Sequence, residues 1–345
     1  MTRFENMTGN MKNLYISMWG NNDFIKQAEI DNSVTEKGDI IKKSVNSFSF
    51  VDKNHEDKEK ILANIFDITD KELFAEKLCM ACSGSGQELR RITTLHSSSL
   101  CALLFFYNVT EANPLTIDEV GTFTDSVFEF QSPVINNQSN MDVVLIGKDN
   151  VGKDILLFLE SKFSEYINDT TTALKISEAY KGNEYSENIY VEDCLKDLDI
   201  GITKSENGYF TITSTDKCYL GGIKQMISHY IGIRNLLDCK KTVQKCEYQN
   251  RVHEKIDSGA KIYLGEILFD HVIGDFEIGK GNKCFADYSK KYNKLAGKLN
   301  RAIGQENKSN RFVVLEDDLK YSMFRNDGYK HEVEDKILQF YNLND

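Results

Sequence analysis

Two uninterrupted apolar runs, Val143-Val144-Leu145-Ile146 and Ile155-Leu156-Leu157-Phe158-Leu159, constrain this chain more than any other feature. Both are of strand length and neither alternates with polar residues, so the strands they form must be buried on both faces. Asp149, Asn150 and Gly152 stand between them and supply turn chemistry. The segment reads as an antiparallel hairpin inside a sheet that other elements cover on each side. Elsewhere the patterning predicts helices over residues 57–66, 71–82, 87–106, 222–237 and 287–303. It predicts strands over 126–131, 209–214, 261–269 and 311–315, a helix-rich stretch over 170–199 and a last helix at the C-terminus. Helices, then a run of strands, then helices again point to an α/β protein with a mixed central sheet flanked by helices.

Charge enters the hairpin where its apolar runs stop. Asp142 and Glu160 each lie nine residues from Val151. A symmetric loop sets the two carboxylates opposite one another, with Cβ atoms about 4.5–5.5 Å apart. Side chains alternate with period two, which puts Lys162 on the face of Glu160. Buried charges need partners. A divalent cation held by Asp142 and Glu160 is the natural one, and oxygen ligands favour Mg²⁺ or Mn²⁺. Such an ion polarises phosphate and acidifies water. Lys162 then orients or deprotonates that water, or stabilises charge in the transition state. The competing reading is a buried Asp–Lys–Glu ion cluster with no chemistry to perform.

Asp142, a hairpin, and Glu160-Ser161-Lys162 at the end of an apolar strand resemble the D…(D/E)xK signature of the PD-(D/E)xK, or restriction-endonuclease-like, nuclease superfamily. The likeness covers about residues 84–230, and the run from Gln87 through His96 to Tyr166 resembles a bacterial group of that superfamily. Met141 stands where the named signature has proline. The resemblance implies a restriction-endonuclease-like mixed sheet flanked by helices, with helical extensions. It implies Mg²⁺-dependent hydrolysis of phosphodiester bonds, in DNA ahead of RNA. Asp142 and Glu160 become metal ligands, joined by the Ser161 carbonyl, and Lys162 the catalytic lysine. The superfamily also tends to place an acidic residue on the preceding helix, and Glu88 is the candidate. Ser85-Gly86-Gln87-Glu88 equally fits a helix capping box, which gives Glu88 a competing structural role. Several groups carry a glutamine on a helix after the catalytic strands. Gln225 holds that place, with His229 four residues on along the same face. The alternative for both is a polar stripe on a surface helix. This reading divides the chain into an N-terminal helical extension (1–83), a nuclease-like core (84–275) and a basic helical extension packed on it (276–345).

The net charge of −11 argues against a polyanionic partner. The charge is uneven, however, and residues 280–311 hold nine Lys or Arg against two acidic residues. On a helix there, Tyr288, Tyr292, Leu295 and Leu299 form a core stripe. That leaves Lys290, Lys291, Lys294, Lys298 and Arg301 as candidate phosphate contacts, with a solvated lysine face as the ordinary alternative. The segment from Gly147 to Asp154, GKDNVGKD, approaches a P-loop. Asp154 stands where Ser or Thr is needed, and a strand-like run follows where phosphate cradling needs a helix, so NTP binding is the remote alternative. Cys79 and Cys82 lack a second pair for zinc and read as core thiols. No apolar stretch reaches membrane-spanning length, the first residues lack a signal core, and the eight scattered cysteines fit reduced thiols. These features lead us to expect a cytoplasmic protein without a membrane partner; a homodimer stays open. The rival functional class is a catalytically inactive nucleic-acid-binding or structural protein that keeps the fold.

Overall fold

The structure is a computed structural model that describes residues 58–83, 92, 97–134, 138–163, 165–168, 170–177, 195, 198–204, 208–238, 247–269, 280–305 and 310–321. Its helices are α1 (Lys58–Ile65), α2 (Lys71–Ala81), α3 (Ser98–Phe106), α4 (Glu165–Asn168), α5 (Leu220–Leu237), α6 (Glu247–Asp257) and α7 (Lys280–Gln305). Its strands are β1 (Leu115–Ile117), β2 (Gly121–Pro133), β3 (Gln138–Lys148), β4 (Asp154–Lys162), β5 (Thr171–Ser177), β6 (Ile200–Lys204), β7 (Tyr209–Cys218), β8 (Lys261–Leu268), β9 (Phe312–Val314) and β10 (Leu319–Lys320).

The hairpin forms as its symmetry demands. β3 and β4 pair antiparallel from Val143↔Leu159 to Lys148↔Asp154, a register centred on Val151. The Asp149 carboxylate closes the turn by accepting from the Val151 and Lys153 N–H groups at 3.0 and 2.8 Å. Gly152 supplies the left-handed residue, at φ 82°. Val143–Ile146 and residues 155–159 are all buried, as strands covered on both faces must be.

These strands sit inside a mixed seven-stranded sheet. Its order is β1-β2-β3-β4-β8-β10, with β9 also on β8. β1 to β4 run as antiparallel neighbours. β8 adds to β4 in parallel, and β9 and β10 share its outer edge end to end. Helices cover both faces. Ser161 of β4 bonds to Ser98 of α3, whereas its neighbours Glu160 and Lys162 bond to α5. α2 and α3 therefore lie on one side, joined at Ser126, whose carbonyl accepts from Lys77 and whose hydroxyl donates to the Phe106 carbonyl. α5 and α6 lie on the other, where His253 of α6 packs on Phe130 and Phe130 on Phe158. No helix among the described residues is long and apolar enough to cross a membrane.

Several expectations need correction. The long helix over 87–106 is interrupted: Ile92 lies in a turn and the described helix starts at Ser98. Ser97 caps it, accepting from the Leu100 N–H at 3.0 Å. The helix-rich stretch over 170–199 opens instead with strand β5, where β-branched Thr171, Thr172 and Ile176 favour pairing with β7. β5, β7 and β6 form a second, antiparallel sheet of three strands. Cys79 is exposed and so is not a core thiol, whereas Cys82 is half-buried and packs against the core. The buried stripe of α2 runs through Phe74, Lys77, Leu78 and Ala81 instead. The P-loop-like segment is the hairpin turn, and no helix follows it. The C-terminal helix expected beyond β10 lies outside the described residues.

α5 comes close enough to the sheet to require glycine at one point. A Cβ on Gly232 would meet the Ser132 hydroxyl at 2.2 Å and its Cβ at 2.9 Å. Replacing glycine by alanine inside a helix ordinarily gains about 1 kcal/mol. Here overpacking reverses the sign, and Gly232→Ala is expected to lose about 1–2 kcal/mol. Urea unfolding of the variant beside wild type measures it; a gain in stability would mean that the helix can lift without loss.

Candidate active site

Asp142 occupies a gap in the sheet. The β2–β3 register passes from Phe128↔Val143 to Phe130↔Met141, and the β3–β4 register ends at Val143↔Leu159, so neither ladder takes Asp142. Across from it on β2, Glu129 is buried with φ at 49°, a left-handed conformation that costs a non-glycine residue about 1–3 kcal/mol. Continuing the hairpin register would set Asp142 level with Glu160, as its symmetry predicts. The pairing has ended there, however, and the Asp142 carboxyl turns across the end of β4 instead. One oxygen accepts from the Ser161 N–H at 2.7 Å and the other from the Ser99 hydroxyl at 3.3 Å. Asp142 remains partly exposed.

Glu160 and Lys162 point the opposite way, toward α5, and both are buried. Glu160 Oε1 accepts from Lys162 Nζ and from Gln225 Nε2, each at 2.6 Å. Glu160 Oε2 lies 2.8 Å from His229 Nε2. Gln225 Oε1 accepts from Lys162 at 2.9 Å and from the Tyr219 hydroxyl at 3.2 Å. The Tyr219 ring also lies beneath the Lys162 ammonium, 5.7 Å from its centroid. α5 thus presents Gln225 and His229 as adjacent donors one turn apart, and the carboxylate of Glu160 is gripped at both oxygens.

Two more carboxyls complete the surroundings. Glu165, three residues past Lys162, accepts from the Phe163 N–H at 2.7 Å. Glu266 of β8 pairs in register with Glu160 and is fully buried. The Tyr288 hydroxyl of α7 lies 2.7 Å from each of its carboxyl oxygens. A phenol has one hydrogen, so two such bonds fit best when Glu266 carries a proton of its own.

Electrostatics follow from this crowding. Burial alone would raise Glu160, but Lys162 and His229 overcome it and bring its carboxyl down to about 2. Asp142 is raised well above the usual carboxylate range, by burial first and then by the charge of Glu160, against the pull of Lys162. Burial also raises Glu165, and it pushes Glu266 up to about 8. Burial would lower Lys162, but Glu160, Tyr219, Glu165 and Asp142 together raise it well above the ordinary lysine value, so it stays an ammonium. Four carboxyls therefore face one committed ammonium.

Compared with known proteins, the chain matches no family model, no curated protein and no solved structure.

The structure brings Asp142, Glu160, Ser161, Lys162 and Gln225 together at the end of β4. Glu88 lies outside the described residues. The basic residues are on α7, whose core stripe is the expected one: Tyr288, Tyr292, Leu295 and Leu299 are buried. Lys290, Lys294 and Arg301 are exposed and Lys298 half-buried. Lys291 is not a free cation, because its ammonium donates to the Leu198 carbonyl at 2.9 Å. Glu165, Glu266, Tyr219 and Ser139 escaped the sequence reading, and His229 entered it only as the neighbour of Gln225 on the same helix face. For Glu266 a signal existed: a lone carboxylate inside the apolar strand Ile262-Tyr263-Leu264-Gly265-Glu266-Ile267-Leu268, the same pattern that marked Glu160.

Glu266 has a consequence for stability. Between the ordinary carboxylate value near 4.5 and about 8, the folded chain keeps a proton that the unfolded chain releases. Stability therefore falls as pH rises through that window. Glu266→Gln keeps both bonds to Tyr288 and removes the titration. From pH 5 to pH 8, wild type is expected to lose roughly a few kcal/mol more than the variant, read from urea unfolding at each pH. Equal losses would mean that Glu266 is ionised in the fold.

Proposed function

We propose that this protein is a metal-dependent phosphodiesterase acting on nucleic acid, DNA ahead of RNA, with a restriction-endonuclease-like arrangement of Asp142, Glu160 and Lys162. The observation that carries the reading is the charge imbalance at the end of β4. Asp142 lies within the field of Glu160, although their side chains point to opposite sides of the sheet, and the one ammonium close by is already bonded to Glu160.

The donor set fits Mg²⁺ or Mn²⁺. Each carboxylate oxygen has two acceptor sites. Among the described residues, Glu160 Oε1 uses both and Oε2 uses one, which leaves a single free site on Glu160. Asp142 keeps one on each oxygen. No three His, Cys, Asp or Glu side chains among the described residues form a metal-holding group. The ion would rest on Asp142, Glu160, the Ser161 carbonyl and water, the sparse, hydrated shell that Mg²⁺ prefers. When bound, such an ion supplies Lewis-acid polarisation of a phosphate and acidifies water.

The chain's own residues do the rest. Lys162 spends two of its three N–H bonds on Glu160 and Gln225. The third is available to a phosphate oxygen, where a fixed ammonium stabilises the charge that builds during displacement. Its raised pKa favours this role over proton abstraction. Asp142 stands at the exposed end, where substrate enters. Lys290, Lys294 and Arg301 fall on one side of α7 and offer a phosphate track.

The test is cleavage of single- and double-stranded DNA with Mg²⁺ or Mn²⁺. Wild type is expected to cut, and Lys162→Ala to lose roughly a hundredfold or more in rate while retaining its fold. A rival reading, a structural ion cluster, draws on the three donors that already hold Glu160. It predicts no metal-dependent cutting by either protein, and Lys162→Ala only destabilised. The phosphate track is tested separately by replacing Lys290, Lys294 and Arg301 with alanine. That variant is expected to bind DNA more weakly, with a shallower dependence of log Kd on log salt, by about two to three ions. An unchanged salt slope would take α7 out of the substrate path.

A further inference from the structure

Glu160 has a free acceptor site only because its carboxylate is held in one orientation, and the hold on Oε2 leads away from the catalytic residues. A carboxylate can only accept, so His229 Nε2 carries the hydrogen across the 2.8 Å to Glu160. The other ring nitrogen, Nδ1, lies 2.7 Å from the Ser139 hydroxyl. The Ser228 hydroxyl donates in turn to Ser139 at 3.2 Å. Ser139, Ser228 and His229 are all buried. A histidine ring has a broad χ2 well and can settle in flipped orientations; a partner at each nitrogen removes that freedom. The backbone beneath is equally fixed. Ser139 pairs with Ser132 across β2 and β3, and Ser132 is the residue against which Gly232 seats α5. Three elements therefore meet at the far nitrogen of one imidazole.

We infer that His229 is a positioning residue: braced by Ser139, it fixes the Glu160 carboxylate in one orientation, with one Oε2 acceptor site left open that would take the metal. The inference rests on the nuclease reading for what the orientation serves. Gln225 and Lys162 both act on Oε1, so His229 alone restrains Oε2 among the described residues. Without it the carboxylate can turn about its last bond and offer Oε2 to Lys162, which removes the defined ligand. Groups that orient a metal ligand from behind typically contribute 10- to 100-fold to metal affinity.

The two amide replacements separate positioning from packing. Gln reaches about as far as Nε2, so His229→Gln can donate to Glu160 without Ser139. Asn reaches about as far as Nδ1, so His229→Asn can keep the Ser139 bond and lose Glu160. Crystal structures of the metal-free full chain and calorimetric titration with Mn²⁺ read the two consequences. For His229→Asn we expect a turned Glu160 carboxylate and a Kd weakened 10- to 100-fold. For His229→Gln we expect the carboxylate held and most of the affinity recovered. Ser139→Ala, a smaller change, should fall between them. A packing role predicts the reverse order, with Asn the better replacement, and would overturn the inference. So would His229→Asn with Glu160 unmoved and Mn²⁺ affinity unchanged. Absence of Mn²⁺ binding by wild type would overturn the nuclease reading. The crystal structures would then still decide whether His229 positions Glu160.

Discussion

The buried charge of Glu160 is the constraint around which the site is arranged. A carboxylate with almost no solvent access survives ionised only when donors replace the water it has lost. Glu160 receives Lys162 from its own strand and Gln225 and His229 from α5. Those two α5 residues can reach it only if the helix lies tight on the sheet, and Gly232 permits that. Gly222, at the helix start, instead makes room for α7, since a Cβ there would meet the Tyr288 hydroxyl at 2.1 Å. The seat of a whole helix thus follows from the need to neutralise one side chain.

Stability alone does not account for such a cluster. Well-packed apolar residues in place of a buried ionic network are often as stable or more so. Here the strands around Glu160 are otherwise apolar, so the sheet had an apolar alternative available at every step. The ladder lapses at Asp142 on both sides, and Glu129 sits strained beside the gap. Backbone strain of this kind gathers at functional sites. On the nuclease reading, the strain at Glu129 on β2 and the crowded carboxyls at the end of β4 mark the place of a cation and a substrate. Neither is needed to close a core.

The sequence made the hairpin legible because two independent rules agreed. Unbroken apolar runs require strands buried on both faces, and turn residues between them set a centre at Val151; the register has that centre. Gln225 was legible only through the resemblance, which places a glutamine on a helix after the catalytic strands. What escaped depended on contacts between distant parts of the chain. Glu266 reaches the site only because β8 inserts beside β4 in parallel, and hairpin reasoning cannot foresee that pairing. β5 went unread as a strand because polar Thr171, Thr172 and Lys175 blur the period, and its partner β7 lies more than thirty residues away. The symmetry argument also had a limit of its own. It placed Asp142 level with Glu160 but could not show the ladder ending there, so it missed the turn of the Asp142 carboxyl toward α3.

The basic helix shows how a protein of net charge −11 can still suit a polyanion. α7 is joined to the site through its buried face. Tyr288 bonds Glu266, which is paired with Glu160 on the neighbouring strand, and Tyr292 donates to the Leu315 carbonyl at 2.8 Å. Its opposite face carries Lys290, Lys294 and Arg301 into solvent. Beneath the same helix, burial raises the Glu266 carboxyl to about 8 against the pull of Lys162 and of the Tyr288 bond, and a second full negative charge beside Glu160 would otherwise compete for Lys162. On the nuclease reading both effects act in one direction. The outer face attracts phosphate along the surface, and the inner face limits the negative charge that an entering phosphate must meet. Acidic residues elsewhere on the chain oppose this only weakly, because charges more than about 10 Å apart in water are largely screened at ordinary salt.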